Sequence, residues 1–174
     1  MALVTLTGYY AGVVFAVAKN MAAHNQLHAT EISKVWRCGV ANSQTVAVTG
    51  VLCQLEVRKY ITNASLTTPT AITPTLHDTA DTGFTNAVWA HAGTIVGTLA
   101  GIFRRVFWSS DEAAISTGTL DELETFVPLN TIFDAGYGDT NVKPMTIRQN
   151  QMFLLANNAG AAGLLDTWME VTKE

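Results

Sequence analysis

Residues 164–172 read LLDTWMEVT, and this stretch indicates the fold most clearly. Every second side chain is apolar or β-branched, whereas the positions between them include Asp166 and Glu170. Alternation with a period of two predicts a β-strand with one buried face. The predicted inward-facing residues are Leu165, Thr167, Met169 and Val171.

The same alternation recurs earlier in the chain, most clearly over 51–58, and shorter strands are predicted at 84–91, 93–100, 102–110 and 120–129. Sustained helical spacing is absent; residues 18–32 suit one or two helical turns or a loop, and 61–83 suit a long surface connection. Many short strands with frequent turns predict an all-β, antiparallel, jelly-roll-like β-sandwich. Its predicted core comprises Val51, Cys53, Leu55, Val57, Ile147, Phe153, Leu165, Met169 and Val171.

The organisation predicted along the chain is an extended N-terminal arm over 1–30 and a single β-sandwich domain over 31–174. Residues 1–18 carry no charge and no helical period, so we expect them to lie extended along their own or a neighbouring subunit. They lack the charged start of a signal peptide. Deletion of residues 1–18 is expected to weaken subunit or capsid attachment and leave the sandwich folded.

Charged residues are scarce, at 14% of the chain. Ten Lys and Arg face fourteen Asp and Glu, the net charge is −4, and no basic run exists, so binding to nucleic acid is not expected. No uninterrupted apolar window of about 18 residues predicts a membrane helix. We expect a soluble product of the cytoplasm that buries its uncharged surface against other subunits.

Two cysteines, Cys38 and Cys53, are too few for a disulfide framework and form no C-x-x-C pair. They are interpreted as buried thiols. The alternative is a cross-strand disulfide, because a hairpin folded about Thr45 and Val46 would bring the two cysteines opposite one another.

Metal-binding candidates are few. His24 and His28 are four apart but lack the H-E-x-x-H frame, and His77 and His91 are isolated. The glycine-rich stretch Asp134 to Asn141 offers oxygen ligands without EF-hand spacing, so a turn capped by its own Asp and Asn is preferred. No metal or other cofactor is expected.

No catalytic residues are assigned. Glu122 and Glu124 share a strand face as glycosidase carboxylates might, but no partner carboxylate pairs with them. Nucleophile, P-loop and dinucleotide motifs are missing. Arg104 and Arg105 lie among aromatic residues, which would suit stacking on sugar or single-stranded nucleic acid. On a strand they point to opposite faces, so packing within the strand is preferred.

The C-terminal run KPMTIRQNQMFLLANNAGAAGLLDTWMEVTKE resembles the closing strands of jelly-roll proteins from tailed-bacteriophage particles. The segments LTGYYAGVVFAVAKNMAAHN, VWRCGVANSQTVAVTGVLCQLEVRKY, FRRVFWSSDE and FVPLNTIFDAGYGD are also similar to uncharacterised phage structural proteins. The resemblance implies a head decoration, or cement, protein. Such a protein would bind the major capsid protein lattice of the virion as a homo-oligomer, with a trimer favoured.

The sequence is compatible with three functions. The first is a virion structural protein, whether decoration, fibre, receptor-binding or another minor component. The second is a carbohydrate-binding sandwich, which should present aromatic residues from loops, whereas all four tryptophans fall in predicted strands. The third is a cupin-like metal enzyme, which should show clustered histidines.

Overall fold

A computed structural model describes residues 4–15, 19–43, 51–110, 130–136, 143–160 and 163–174. These residues form twelve β-strands and contain no helix. The strands are β1 Val4–Phe15, β2 Lys19–Gln26, β3 Ser33–Asn42, β4 Val51–Thr67, β5 Thr70–Ala71, β6 Thr75–Leu76, β7 Ala87–His91, β8 Thr94–Ser110, β9 Asn130–Asp134, β10 Met145–Ile147, β11 Gln151–Gly160 and β12 Gly163–Lys173.

The strands form two antiparallel sheets of six strands each. Sheet A has the order β10-β3-β12-β1-β6, and β9 also pairs with β3. Sheet B has the order β5-β7-β2-β11-β4-β8. Strands β1 to β4 alternate between the sheets, and the first main strand, β1, pairs with the last, β12. This is the strand order of a jelly roll, so the predicted fold class is confirmed.

The main core lies between the two sheets, and alternation positions its side chains. Eight of the nine predicted core residues are fully buried in it: Cys53, Leu55, Val57, Ile147, Phe153, Leu165, Met169 and Val171. The side chain of the ninth, Val51, lies outside the described part. The period-two pattern of 164–172 therefore identified the inner face of β12 correctly.

A second, smaller apolar cluster covers the outer face of sheet B. Met152 and Leu154 of β11 are fully buried there, on the side opposite Phe153. The end of β4 bends at Thr62 and Asn63, which have positive φ, and places Ala64 in this cluster. Strand β11 is therefore buried on both faces, which explains its continuous apolar run.

The N-terminal residues belong to the sandwich, which corrects the predicted arm over 1–30. Strand β1 lies between β12 and β6 in sheet A, and β2 lies between β7 and β11 in sheet B. Leu6, Tyr10 and Val13 of β1 are buried in the main core. The Tyr10 hydroxyl donates a 2.9 Å hydrogen bond to the carbonyl of Ala23, joining the two sheets.

Two further local predictions need correction. Residues 18–32 were expected to form helical turns or a loop, but 19–26 form strand β2, every residue of which after Lys19 is buried. Part of the predicted connection 61–83 extends β4 to Thr67, and β5 and β6 lie within it. Both segments gain strand structure by pairing with residues distant in sequence. The strands predicted at 84–91 and 93–100 correspond to β7 and the start of β8. The one predicted at 120–129 lies outside the described residues.

Cys38 and Cys53 are free, buried thiols. The predicted hairpin, which would bring the two cysteines opposite one another, is wrong. Cys38 belongs to β3 in sheet A, whereas Cys53 belongs to β4 in sheet B. Burial raises the pKa of both thiols, that of Cys53 to about 12. Neither thiol therefore ionises readily.

A substitution at Gly8 of β1 tests how closely the two sheets pack. A Cβ atom at this position would lie 2.5 Å from Cε3 and 2.7 Å from Cζ3 of the buried Trp89 ring. We expect Gly8→Ala to lower the free energy of unfolding by about 1–3 kcal/mol, as overpacking does in other cores. Chemical denaturation measures this. Gly101→Ala is the matched control, because nothing lies within 4 Å of its Cβ position; equal losses in both variants would contradict the explanation.

Candidate interaction surface on strand β8

Strand β8 ends sheet B. It pairs with β4 along one edge, and no strand of the described residues pairs with its other edge. The strand is 17 residues long. An edge strand of this length presents a row of backbone groups that another strand can pair with, and proteins usually shorten, charge or cover such edges.

The exposed apolar side chains of the protein are concentrated on this strand. Of the seven large hydrophobic residues that are strongly exposed in the described ranges, five lie on β8. Phe107 is 68% exposed and Phe103 56%. We call these five residues the β8 surface: Val96, Leu99, Ile102, Phe103 and Phe107. Such a concentration of exposed apolar side chains on one strand favours an interaction site, whereas single exposed residues are ordinary.

Two bulges place three of these side chains on the same face of the sheet. Opposite β4, the strand carries one extra residue at Phe103 and another at Ala100, where the pairing register shifts. Each bulge shifts the alternation by one residue. Leu99 and Ile102 therefore lie on the outer face of sheet B, as does Phe107 further along the strand. From Arg104 to Ser110 the pairing with β4 is regular.

A buried carboxylate fixes one cation beside this surface. Glu56, whose side chain is 1% exposed, accepts hydrogen bonds from Nε of Arg105 at 2.6 Å and from Nε of Arg58 at 2.7 Å. Arg104 lies opposite Val57, an inner-face residue, and Arg105 opposite Glu56 on the outer face. The prediction that the two arginines point to opposite faces is confirmed.

The sequence does not identify the β8 surface. It favours packing within the strand as the reason for the aromatic residues around Arg104 and Arg105, but Phe103 and Phe107 are exposed. Exposure follows from the position of β8 at the end of sheet B, and strand order is decided by long-range pairing. The available signal was the lack of lysine or proline along an apolar strand of this length, since such residues protect ordinary edges.

His24, a metal-ligand candidate, is instead part of the core. It is completely buried on β2, its ring centroid lies 4.4 Å from that of Trp89, and Nε2 is 2.7 Å from Oγ of Ser33. Burial lowers the pKa of the imidazole to about 3, and Nδ1 has no hydrogen-bond partner. His24 is therefore neutral, and its free nitrogen faces an apolar surrounding.

The other histidines are separated from His24. His28 Nδ1 accepts a hydrogen bond from the Glu31 amide, His77 contacts Oγ1 of Thr7 at 2.7 Å, and His91 packs edge-on against a tyrosine ring. Throughout the described ranges, no three His, Cys, Asp or Glu side chains are grouped so that they could hold a metal ion.

The turn beginning at Asp134 has the capped geometry preferred from the sequence. Oδ1 of Asp134 accepts a 2.7 Å hydrogen bond from the amide of Gly136, which has φ of 68°. Asp134 also forms an ion pair with Arg37. Residues 137–142, with the other proposed cation ligands, lie outside the described part, as do Glu122 and Glu124.

No protein-family model, no curated protein and no solved structure matches the chain. In the described ranges, no helix is long and apolar enough to cross a membrane. In the part of the chain that the structure describes, the protein is a two-sheet jelly roll in which sheet B ends in a long strand with exposed apolar side chains.

Proposed function

We propose that the protein is a virion structural protein: a decoration subunit that binds the major capsid protein lattice of a phage head as a homo-oligomer. The β8 surface is the observation that carries this proposal. The jelly-roll strand order suits it, because this fold is common among viral capsid proteins, although a fold alone does not define a function.

Exposure of the apolar side chains of β8 to water is unfavourable in free energy. Five exposed apolar side chains, and a strand edge that pairs with no strand of the described residues, favour association. Only 14% of the residues are charged, so repulsion between copies is weak. A protein whose role is to bind its own copies and a lattice uses such a surface, and its association should depend little on salt.

The proposal includes no catalytic role and no cofactor. A carbohydrate-binding module is the alternative, and the tryptophans do not favour it. Trp36, Trp89, Trp108 and Trp168 lie within β3, β7, β8 and β12 and not in loops at the ends of the sandwich. No further observation supports that alternative.

Two measurements test the proposal. Mass spectrometry of particles purified from a phage that encodes this chain is expected to detect the protein in many copies, and light scattering of the isolated protein is expected to detect an oligomer at micromolar concentration. Particles that lack the protein would contradict the virion role. A monomer that persists at high concentration would contradict the homo-oligomer.

A further inference from the structure

Part of β8 is complementary to itself when two copies run antiparallel. Residues Arg104 to Trp108 read RRVFW. If Val106 faces Val106 of a second copy, Arg105 lies opposite Phe107 and Arg104 opposite Trp108, and each pair occurs twice. Cations placed next to the faces of aromatic side chains are attracted to them. Residues opposite one another on antiparallel strands point to the same face, so Arg105 of one copy and Phe107 of the other are in contact range.

Other registers fit less well. Centring the pair on Arg104 or Arg105 places that arginine opposite itself, and like charges directly opposite are destabilising. Centring it on Phe107 avoids this repulsion but leaves both arginines opposite serines. Bulges at Ala100 and Phe103 interrupt the first half of the strand, so regular pairing is available only beyond them. Val106 lies inside this regular part.

The groups needed for the contact are accessible in a single copy. The Arg105 side chain is 50% exposed, and Phe107 is 68% exposed. Glu56 holds the Arg105 guanidinium through Nε at 2.6 Å, which fixes the cation in place beside Phe107 before any partner binds. Ordering it on association therefore costs little additional entropy.

We propose that two copies of this chain pair antiparallel along β8 about a two-fold axis at Val106, which joins their B sheets into one continuous sheet. This inference rests on the proposed function and names the partner of the β8 surface. A two-fold contact cannot by itself form a trimer. It forms dimers, or it connects two trimers, so the number of subunits is even.

A cysteine at the axis tests the register. In Val106→Cys the two new thiols lie opposite one another, where Cα atoms are about 4.5–5.5 Å apart and a disulfide can form. We expect most chains to cross-link under mild oxidation. Phe107→Cys is the matched control: its two thiols are displaced diagonally, with Cα atoms more than about 7 Å apart, and should not cross-link. Cross-linking of Phe107→Cys alone, or of neither variant, would overturn the proposed register.

Two substitutions of opposite charge at Phe107 test the contact without a new cysteine. Phe107→Arg places two arginines opposite each other at both ends of the contact, and is expected to raise the dissociation constant about tenfold or more. Phe107→Glu removes the same aromatic ring but places a carboxylate opposite Arg105, and should dissociate less readily than Phe107→Arg. Equal effects of the two variants on the oligomer would overturn the inference. Circular dichroism confirms that both variants fold.

Light scattering of the wild-type chain separates this inference from the proposed function. An even number of subunits supports both. An odd number, such as a trimer unaffected by Phe107→Arg, would overturn the β8 pairing while leaving the decoration role intact. Absence from purified particles would contradict the decoration role whatever the subunit number.

Discussion

Removal of residues 1–18 is expected to unfold the protein. These residues include β1, which lies between β12 and β6 in sheet A and contributes Leu6, Tyr10 and Val13 to the main core. Losing each large buried side chain costs about 2–5 kcal/mol, and a whole domain is stable by only about 5–15 kcal/mol. Circular dichroism and thermal unfolding of the truncated chain measure the effect; we expect loss of the cooperative transition.

Deletion of residues 1–3 alone is the control, since it ends before β1 begins at Val4. This variant should unfold cooperatively, close to the wild-type temperature. If the chain without residues 1–18 retained a native spectrum and a cooperative transition, β1 would be dispensable, as the arm predicted from the sequence would be.

Mild acid is expected to destabilise the protein through His24. Burial lowers the folded-state pKa of His24 to about 3, below its ordinary 6.5. Between these values the unfolded chain binds a proton that the folded chain does not, so stability falls as the pH decreases from 6.5 and stops falling near 3. The expected loss is about 1.4 kcal/mol for each pH unit.

The measurement is the free energy of unfolding at several pH values, compared between wild type and His24→Leu. The variant should lose most of the slope between pH 6.5 and 4.5, while Ser33 keeps its hydrogen bond from Gln26. A slope that persists unchanged in His24→Leu would assign the effect to other groups, such as the partly buried His91, whose pKa burial also lowers.

A further loss of stability below pH 4.5 comes from Glu31, and it adds to the histidine effect, which continues to about pH 3. Burial raises the pKa of Glu31, but hydrogen bonds from Thr85 and from Lys173 outweigh burial and lower it below its ordinary 4.5. A carboxylate with a lowered pKa stabilises the fold above its unfolded-state pKa, and this contribution is lost as the pH falls below about 4.5. Glu31→Gln removes the Glu31 contribution, so the slope below pH 4.5 should decrease to that of the histidine alone, and the slope above pH 4.5 should be unchanged.

The parts of the fold that the sequence predicts are those with a clean period of two. Leu165, Met169 and Val171 point into the core because alternation on a half-buried strand leaves no other arrangement. The alternation pattern did not predict strand β1, for two physical reasons. At Gly8 the Trp89 ring occupies the space of a side chain, and between Tyr10 and Val13 a bulge shifts the alternation.

Strand β2 was missed because its buried residues are polar. Asn20 donates a hydrogen bond to the carbonyl of Gly93, Asn25 donates to that of Ala64, and Gln26 donates to Ser33. Such side chains are buried at low cost only when their partners are in place. Two of these three partners, Gly93 and Ala64, are far away in the sequence, so no local pattern reveals them. The β8 surface depends in the same way on which strand ends sheet B.

The pairing of β1 with β12 has a consequence for synthesis. In the described residues, β1 makes its ladder hydrogen bonds with β6 and β12, and β12 is translated long after β1. Strand β2 likewise pairs with β11, which is translated much later. The nascent chain must therefore hold β1 and β2 without these partners until β11 and β12 have been translated. Folding of such non-local topologies is slow, and chaperone binding to the nascent N-terminal segment would shield it from aggregation during this interval.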